Sequence, residues 1–141
     1  MQFELSDTLL SGWVVLVVDD EQDSLLVAQT LLEMCGAKVV TASNGRAGFE
    51  AAKKLQPNFI LSDLSMPEMS GWQMIFHLKE NLGTRDIPVI ALTAHAMEGD
   101  RQRAMEVGFH NYLTKPFQPE TFINDLLKLL VDVPAIAQKL G

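Results

Sequence analysis

The chain of 141 residues has a single cysteine, Cys35, so no internal disulfide can staple it. Cys35 falls in an apolar helical pattern and reads as a small buried hydrophobe, which fits a reduced, cytoplasmic compartment. No apolar run is long enough to span a bilayer. The opening segment, MQFELSDTLLSGW, carries acids and no basic start, which excludes a secretory signal peptide. There is no clustered Lys/Arg stripe, and the net charge is −7. That argues against a direct nucleic-acid binder, which needs a basic face to displace counterions. Long repeats, low-complexity tracts and Ser/Gly linkers are also missing. What remains is ordinary globular composition, 48% apolar and 21% charged, at the size of one domain with one core.

Apolar runs alternate with amphipathic stretches along the chain. Trp13–Val18 is a continuous apolar run that stops at Asp19-Asp20. "DSLLVAQTLLEMCG" puts Leu25, Ala28, Leu32 and Cys35 on one helical stripe, and Gly36 stops that helix. "AKVVTA" is a short strand, and "NGRAGFEAAKKL" is a helix weakened by two glycines and ended by Pro57. "NFILSD" is a third strand, "GWQMIFHLKENL" a helix, "IPVIALTA" a fourth strand and "MEGDRQRAMEVG" a polar fourth helix. Its apolar contacts should come from Met97, Ala104, Met105 and Val107. "FHNYLT" is a fifth strand, and "QPETFINDLLKLL" a fifth helix with Phe122, Ile123, Leu126, Leu127 and Leu130 inward. Five strands alternating with five helices predict an α/β fold, a doubly wound parallel sheet covered on both faces.

Right-handed crossovers place every strand's C-terminal end on one edge of such a sheet, where ligands bind. At those ends stand Asp19 and Asp20, Asp63, Thr93 and Lys115. Three carboxylates in close quarters repel one another unless some protonate or a cation neutralises them. The set offers oxygen and no His or Cys, which suits a hard ion. Mg²⁺ fits best, since it takes one or two carboxylates plus phosphate oxygens. "DDEQDS" lacks the spacing and final Glu of a calcium-binding EF-hand loop. A dication, an amine and a hydroxyl suit a phosphoryl group, and one carboxylate can then be the nucleophile. Asp63, alone at the end of its strand, is that candidate; Met66-Pro67 reads as a tight loop and Gly71 as a point of close packing.

The segments "VVLVVDDE", "FILSDLSMPEMSG", "VIALTAHA" and "YLTKPF" resemble the response-regulator receiver domain of two-component signalling, over about residues 12–132. Residues 1–11 would be a lead-in and 133–141 a tail. The resemblance implies a flavodoxin-like sheet of order 2-1-3-4-5 and phosphorylation of Asp63 by a histidine kinase or a histidine phosphotransfer protein. Asp20, Asp63 and the backbone carbonyl of Ser65 would hold Mg²⁺, with Asp19 acting largely through water. Lys115, in cis linkage to Pro116, would meet the phosphoryl oxygens together with Thr93 and the backbone of Ala94. Thr93 and Tyr112 match the family's switch pair. The contact face implied is helix four, strand five and helix five, open to a downstream protein or to a second copy as a homodimer. Such a domain is no enzyme in the ordinary sense, since it catalyses only its own phosphorylation and dephosphorylation. His95, two residues beyond Thr93, borders the site and is a candidate to tune phosphoryl lifetime. His77 and His110 read as surface or packing residues, the methionines as core filler, and Leu129 as either a partner-facing or a half-buried position off the inner stripe of the fifth helix.

Two other classes also place a site at the rim of a parallel sheet. A haloacid-dehalogenase-type phosphohydrolase also uses an Asp nucleophile and Mg²⁺, but usually as Asp-x-Asp on the first strand, a pattern that "DDEQDS" lacks. A flavodoxin-like electron carrier wants a Ser/Thr/Gly-rich loop after strand one, where two acids here would repel the flavin phosphate.

Overall fold

The structure, a computed structural model, describes residues 5–94 and 100–140. His95 and Met97 lie outside the described residues. The elements run β1 (Val14–Val18), α1 (Gln22–Met34), β2 (Lys38–Ala42), α2 (Gly45–Leu55), β3 (Phe59–Asp63) and α3 (Gly71–Glu80). They continue β4 (Val89–Thr93), α4 (Asp100–Glu106), β5 (Asn111–Thr114), α5 (Phe122–Leu130) and α6 (Pro134–Leu140). The strands form one parallel sheet of order β2-β1-β3-β4-β5, as the resemblance implied.

Alternate strand residues face opposite sides, and each side has its own core. Val15, Val17, Phe59, Leu61, Ile90 and Leu92 pack with the inner stripes of α1 and α5. Leu16, Val18, Ile60, Val89 and Ala91 pack with Ala52, Met74, Ile75, Leu78, Ala104 and Phe109. Because both faces are covered, the strands read as unbroken apolar runs. The two glycines of α2 mark two close approaches: a Cβ on Gly45 would stand 2.5 Å from the Met69 carbonyl oxygen, and one on Gly48 2.8 Å from side-chain atoms of Val18 and Met74 in the second core. Cys35 is buried in the first core, and burial pushes its thiol up from the ordinary value. Leu129 is half-buried against that same core.

Two expectations need correction. Met105 and Val107 do not anchor α4: they are 44% and 43% exposed, and among the described residues of this segment Ala104, at 1%, is the buried one. The described helix has seven residues, too short to bring more than a narrow strip onto the sheet. Among the described residues there are also six helices rather than five, because α6 forms in the stretch expected to be a tail. Pro134 occupies its first turn, where a missing N–H costs nothing. Ile136 enters the first core at 3% exposure, and Lys139 lies 5.6 Å from the Trp13 ring centroid. Leu10, in the lead-in, is buried in the same core and donates its N–H to the Cys35 carbonyl at 2.7 Å.

Truncating a buried Ile costs about 2–5 kcal/mol where the site cannot collapse. A short terminal helix relaxes more easily, so Ile136→Ala should cost about 2 kcal/mol, read from urea unfolding midpoints. An unchanged midpoint would mean that α6 adds nothing to the folded unit.

Candidate functional site

The parallel register brings the polar strand ends together. Val18 is level with Ser62 and Asp63 with Leu92, so the residues just past β1 and at the end of β3 stand side by side. Asp19 still donates its backbone N–H to Ala42 at 3.0 Å, which keeps it in line with the sheet and 0% exposed. Lys115 donates its backbone N–H to the Thr93 carbonyl at 2.8 Å, so its side chain leaves from the same edge. The Lys115-Pro116 bond is cis.

Lys115 Nζ lies 2.9 Å from Asp19 Oδ2, 3.5 Å from Asp63 Oδ2 and 4.0 Å from Glu21 Oε1. The other oxygens are held by backbone: Asp19 Oδ1 accepts from Glu21 N–H at 2.9 Å, and Asp63 Oδ1 from Leu64 N–H at 2.7 Å. Behind Asp63 the chain turns back on itself. Gly71 donates to the Leu64 carbonyl at 2.9 Å, and a Cβ there would stand 2.0 Å from the Asp63 carbonyl oxygen. Ser70 caps α3 reciprocally with Gln73, which fixes the start of that helix against the loop. The expected close packing at Gly71 is therefore present, and it places the α3 start directly behind the acid.

Carboxylate oxygens of Asp19, Asp20 and Asp63 all lie within 4.8 Å of one another. Burial, and then the charge of Asp19, push the Asp63 carboxyl above its ordinary value; Lys115 and the Leu64 N–H oppose this and do not cancel it. The Lys115 ammonium is lowered by burial, but the hydrogen bond and charge of Asp19, with Asp63 and Glu21 behind them, hold it above its ordinary value. The cluster thus carries more negative charge than its lysine neutralises. An all-oxygen, under-neutralised set of this kind can hold a hard dication.

A cavity of about 380 Å³ opens on these groups, lined by Glu21, Asp63, Leu64, Ser65, Trp72, Thr93, Ala94, Arg103 and Lys115. Thr93 is buried in its wall and Ser65 and Ala94 are exposed. Asp20 is exposed beside the cluster. Tyr112 is half-buried against the second core, level with Ala91, and does not line the cavity. His77 packs between the rings of Phe49 and Phe76, and His110 pairs with Asp132 at 2.6 Å, so both serve packing or surface roles. Glu21, Trp72 and Arg103 were not singled out from the sequence. Trp72 directly follows Gly71, which was a usable signal; Arg103 sits on a charged helix face and gave none.

An oxygen-rich, lysine-bridged cleft at the C-terminal edge of a doubly wound sheet has the chemistry to hold a cation or a phosphate, and defines the chain as an α/β domain with a polar edge site. Comparison with known proteins narrows that class. The family model for the response regulator receiver domain matches residues 15–127, and the chain belongs to that family. It is 34% identical over 118 residues to the polar-differentiation response regulator DivK of Brucella anthropi, covering 84% of this chain and 96% of that protein. Chemotaxis protein CheY4 of Vibrio cholerae has a similar structure, with TM-score 0.78, 30% identity and coverage of 84% of this chain and 98% of that one. The receiver domain of a sensor histidine kinase from Pseudomonas aeruginosa, solved with magnesium in its active site cleft, matches at TM-score 0.75 and 28% identity. It covers 86% of this chain and 97% of that one. The chain is therefore a signalling domain of two-component systems. No helix among the described residues is long and apolar enough to cross a membrane.

The raised Asp63 carboxyl has a measurable consequence. The folded chain binds this proton more tightly than the unfolded chain. Its contribution to stability is complete below the ordinary value of 3.8 and is lost as pH rises through the raised value. Without divalent ions, Asp63→Asn should therefore unfold at higher urea than wild type at neutral pH, with the gap closing as the pH falls toward acid. A variant weaker than wild type at neutral pH contradicts the charge crowding.

Proposed function

We propose that the chain accepts a phosphoryl group on Asp63 from a phosphohistidine donor, a histidine kinase or a histidine phosphotransfer protein. The observation that carries this reading is the single ammonium, Lys115, shared between Asp19 and Asp63 at 2.9 and 3.5 Å while the Leu64 N–H orients the other Asp63 oxygen. A carboxylate oxygen of Asp63 attacks phosphorus. The P–N bond breaks, its electron pair stays on the donor imidazole, and that nitrogen takes up a proton. The product is an acyl phosphate, and hydrolysis returns the carboxylate and inorganic phosphate.

Asp20, Asp63 and the Ser65 carbonyl would hold Mg²⁺, with Asp19 acting mainly through water. When bound, the ion supplies positive charge beside the transferring oxygens. The magnesium reported in the cleft of the Pseudomonas receiver supports this assignment. Lys115 pairs with the phosphoryl oxygens as a fixed cation, and Thr93 and the Ala94 backbone donate from the cavity wall. As Thr93 turns toward the new anion, Tyr112 moves into the space behind it. The change is read on α4, β5 and α5 by a downstream protein or a second copy of the chain. The thin anchorage of α4, through Ala104, fits an element drawn from the low-stability end of the fold. Residues 12–132 form the proposed receiver unit, flanked by 1–11 and 133–141.

Incubation with a small acyl phosphate and Mg²⁺, followed by intact mass and adduct mapping, should find one phosphoryl group on Asp63. Asp63→Asn should show none, and neither should wild type in chelator. Asp20→Asn should weaken Mg²⁺ binding by about tenfold or more. Lys115→Ala should still bind the ion but fail to couple labelling to the distal surface. Labelling at another residue, or steady turnover of small phosphate esters, would overturn the reading.

A further inference from the structure

Lys115 is heavily committed before any phosphoryl group arrives. Its ammonium has three donors and faces three carboxylates, those of Asp19, Asp63 and Glu21. A phosphoryl group on Asp63 adds about −1.5 to −2 charge at pH 7 and three acceptor oxygens. The cavity that would receive it has a second cationic wall residue, Arg103 of α4. Its guanidinium carbon lies 4.4 Å from the centroid of Trp72, whose indole lines the same cavity. Trp72 in turn meets the buried Phe109 ring edge-on at 5.8 Å and 87°, so the stacking platform is tied to the second core. Among the described residues Arg103 has no carboxylate within ion-pair distance. A guanidinium lying on a ring uses its face for the stack and keeps its in-plane N–H groups for an anion.

We propose that Arg103, preorganised on Trp72, is a phosphoryl-binding residue whose N–H edge contacts the group carried by Asp63 or brought by the donor. The inference rests on the reading that Asp63 is the acceptor. It gives Arg103 a role distinct from that of Lys115. Lys115 is a point charge at the floor, coupled to the acids whether or not the site is loaded. Arg103 is a planar fork on a different element, paired with an aromatic ring until the anion arrives. Its contact also joins α4 to the phosphoryl group directly, in addition to any path through Thr93. A purely structural stack would give Arg103 a share in stability and no share in phosphoryl kinetics.

The test compares wild type, Arg103→Ala, Arg103→Lys and Trp72→Leu. Labelling of Asp63 by acetyl phosphate with Mg²⁺, and loss of the label after the donor is removed, are followed by intact mass at low and high salt. Arg103→Ala should label about tenfold more slowly at low salt, the size of one charge-assisted contact at an open site. The deficit should shrink at high salt, where steering of the anionic donor is screened in wild type too. Arg103→Lys should recover part of the rate, because it restores charge without the fork. Trp72→Leu should fall between wild type and Arg103→Ala, since the guanidinium is kept but its platform is lost. Thermal midpoints of the same variants separate a folding defect from a site defect. Wild-type rates of labelling and loss in Arg103→Ala overturn the proposal, as does an equal deficit at both salt concentrations. A wild-type protein that takes no label on Asp63 overturns the acceptor reading itself, and this inference with it.

Discussion

The site depends on one ammonium ion placed among acids. Asp19 is fully buried, and its charge is tolerated there because Lys115 lies 2.9 Å away and the Glu21 N–H binds the other oxygen. Removing one partner from a buried pair leaves an uncompensated charge, which is far more costly than the pair itself. Lys115 reaches this position because β5 lies at the sheet edge next to β4 and its backbone continues that ladder past Thr114. The sheet therefore fixes the meeting of residues 19, 63 and 115, which come from three separate parts of the chain.

The same lysine does not neutralise the cluster, and that shortfall is where structure becomes function. A carboxyl pushed upward by burial and by a neighbouring acid is a group in an unfavourable charge state. It can be relieved by a proton, by a dication, or by a cation that comes with the chemistry. The fold selects among these by geometry: the Asp63 side chain emerges at a cavity mouth, held by a backbone N–H on one side, while its own carbonyl is blocked from behind by Gly71. Rigidity behind the acid and openness before it suit a nucleophile that must be approached along a defined line.

Much of this was legible in the chain itself, for a physical reason. Strands buried on both faces must be apolar throughout, so a charged residue at the end of such a run stands out; Asp19, Asp63 and Lys115 all announce themselves this way. Thr93 and Gly71 follow once the strand ends are aligned. Helix α4 was read less well, because in a short polar helix periodicity cannot tell a buried Ala104 from an exposed Met105. The sixth helix has a weak signal because Ile136 is its one fully buried residue, with Leu140 half-buried against the same core. The stack of Arg103 on Trp72 joins two helices with no periodic pattern in common, and the ion-pair logic that finds carboxylates and lysines does not look for an aromatic partner.

The two tryptophans occupy different worlds. Trp13 is buried under α6 in the first core, edge-on to Phe59 at 6.1 Å, and senses only whether the molecule is folded. Trp72 is half-buried at the cleft mouth with a guanidinium on its face. Indole emission responds to nearby charge, so the native chain carries its own pair of optical probes, one silent reference in the interior and one reporter at the doorway.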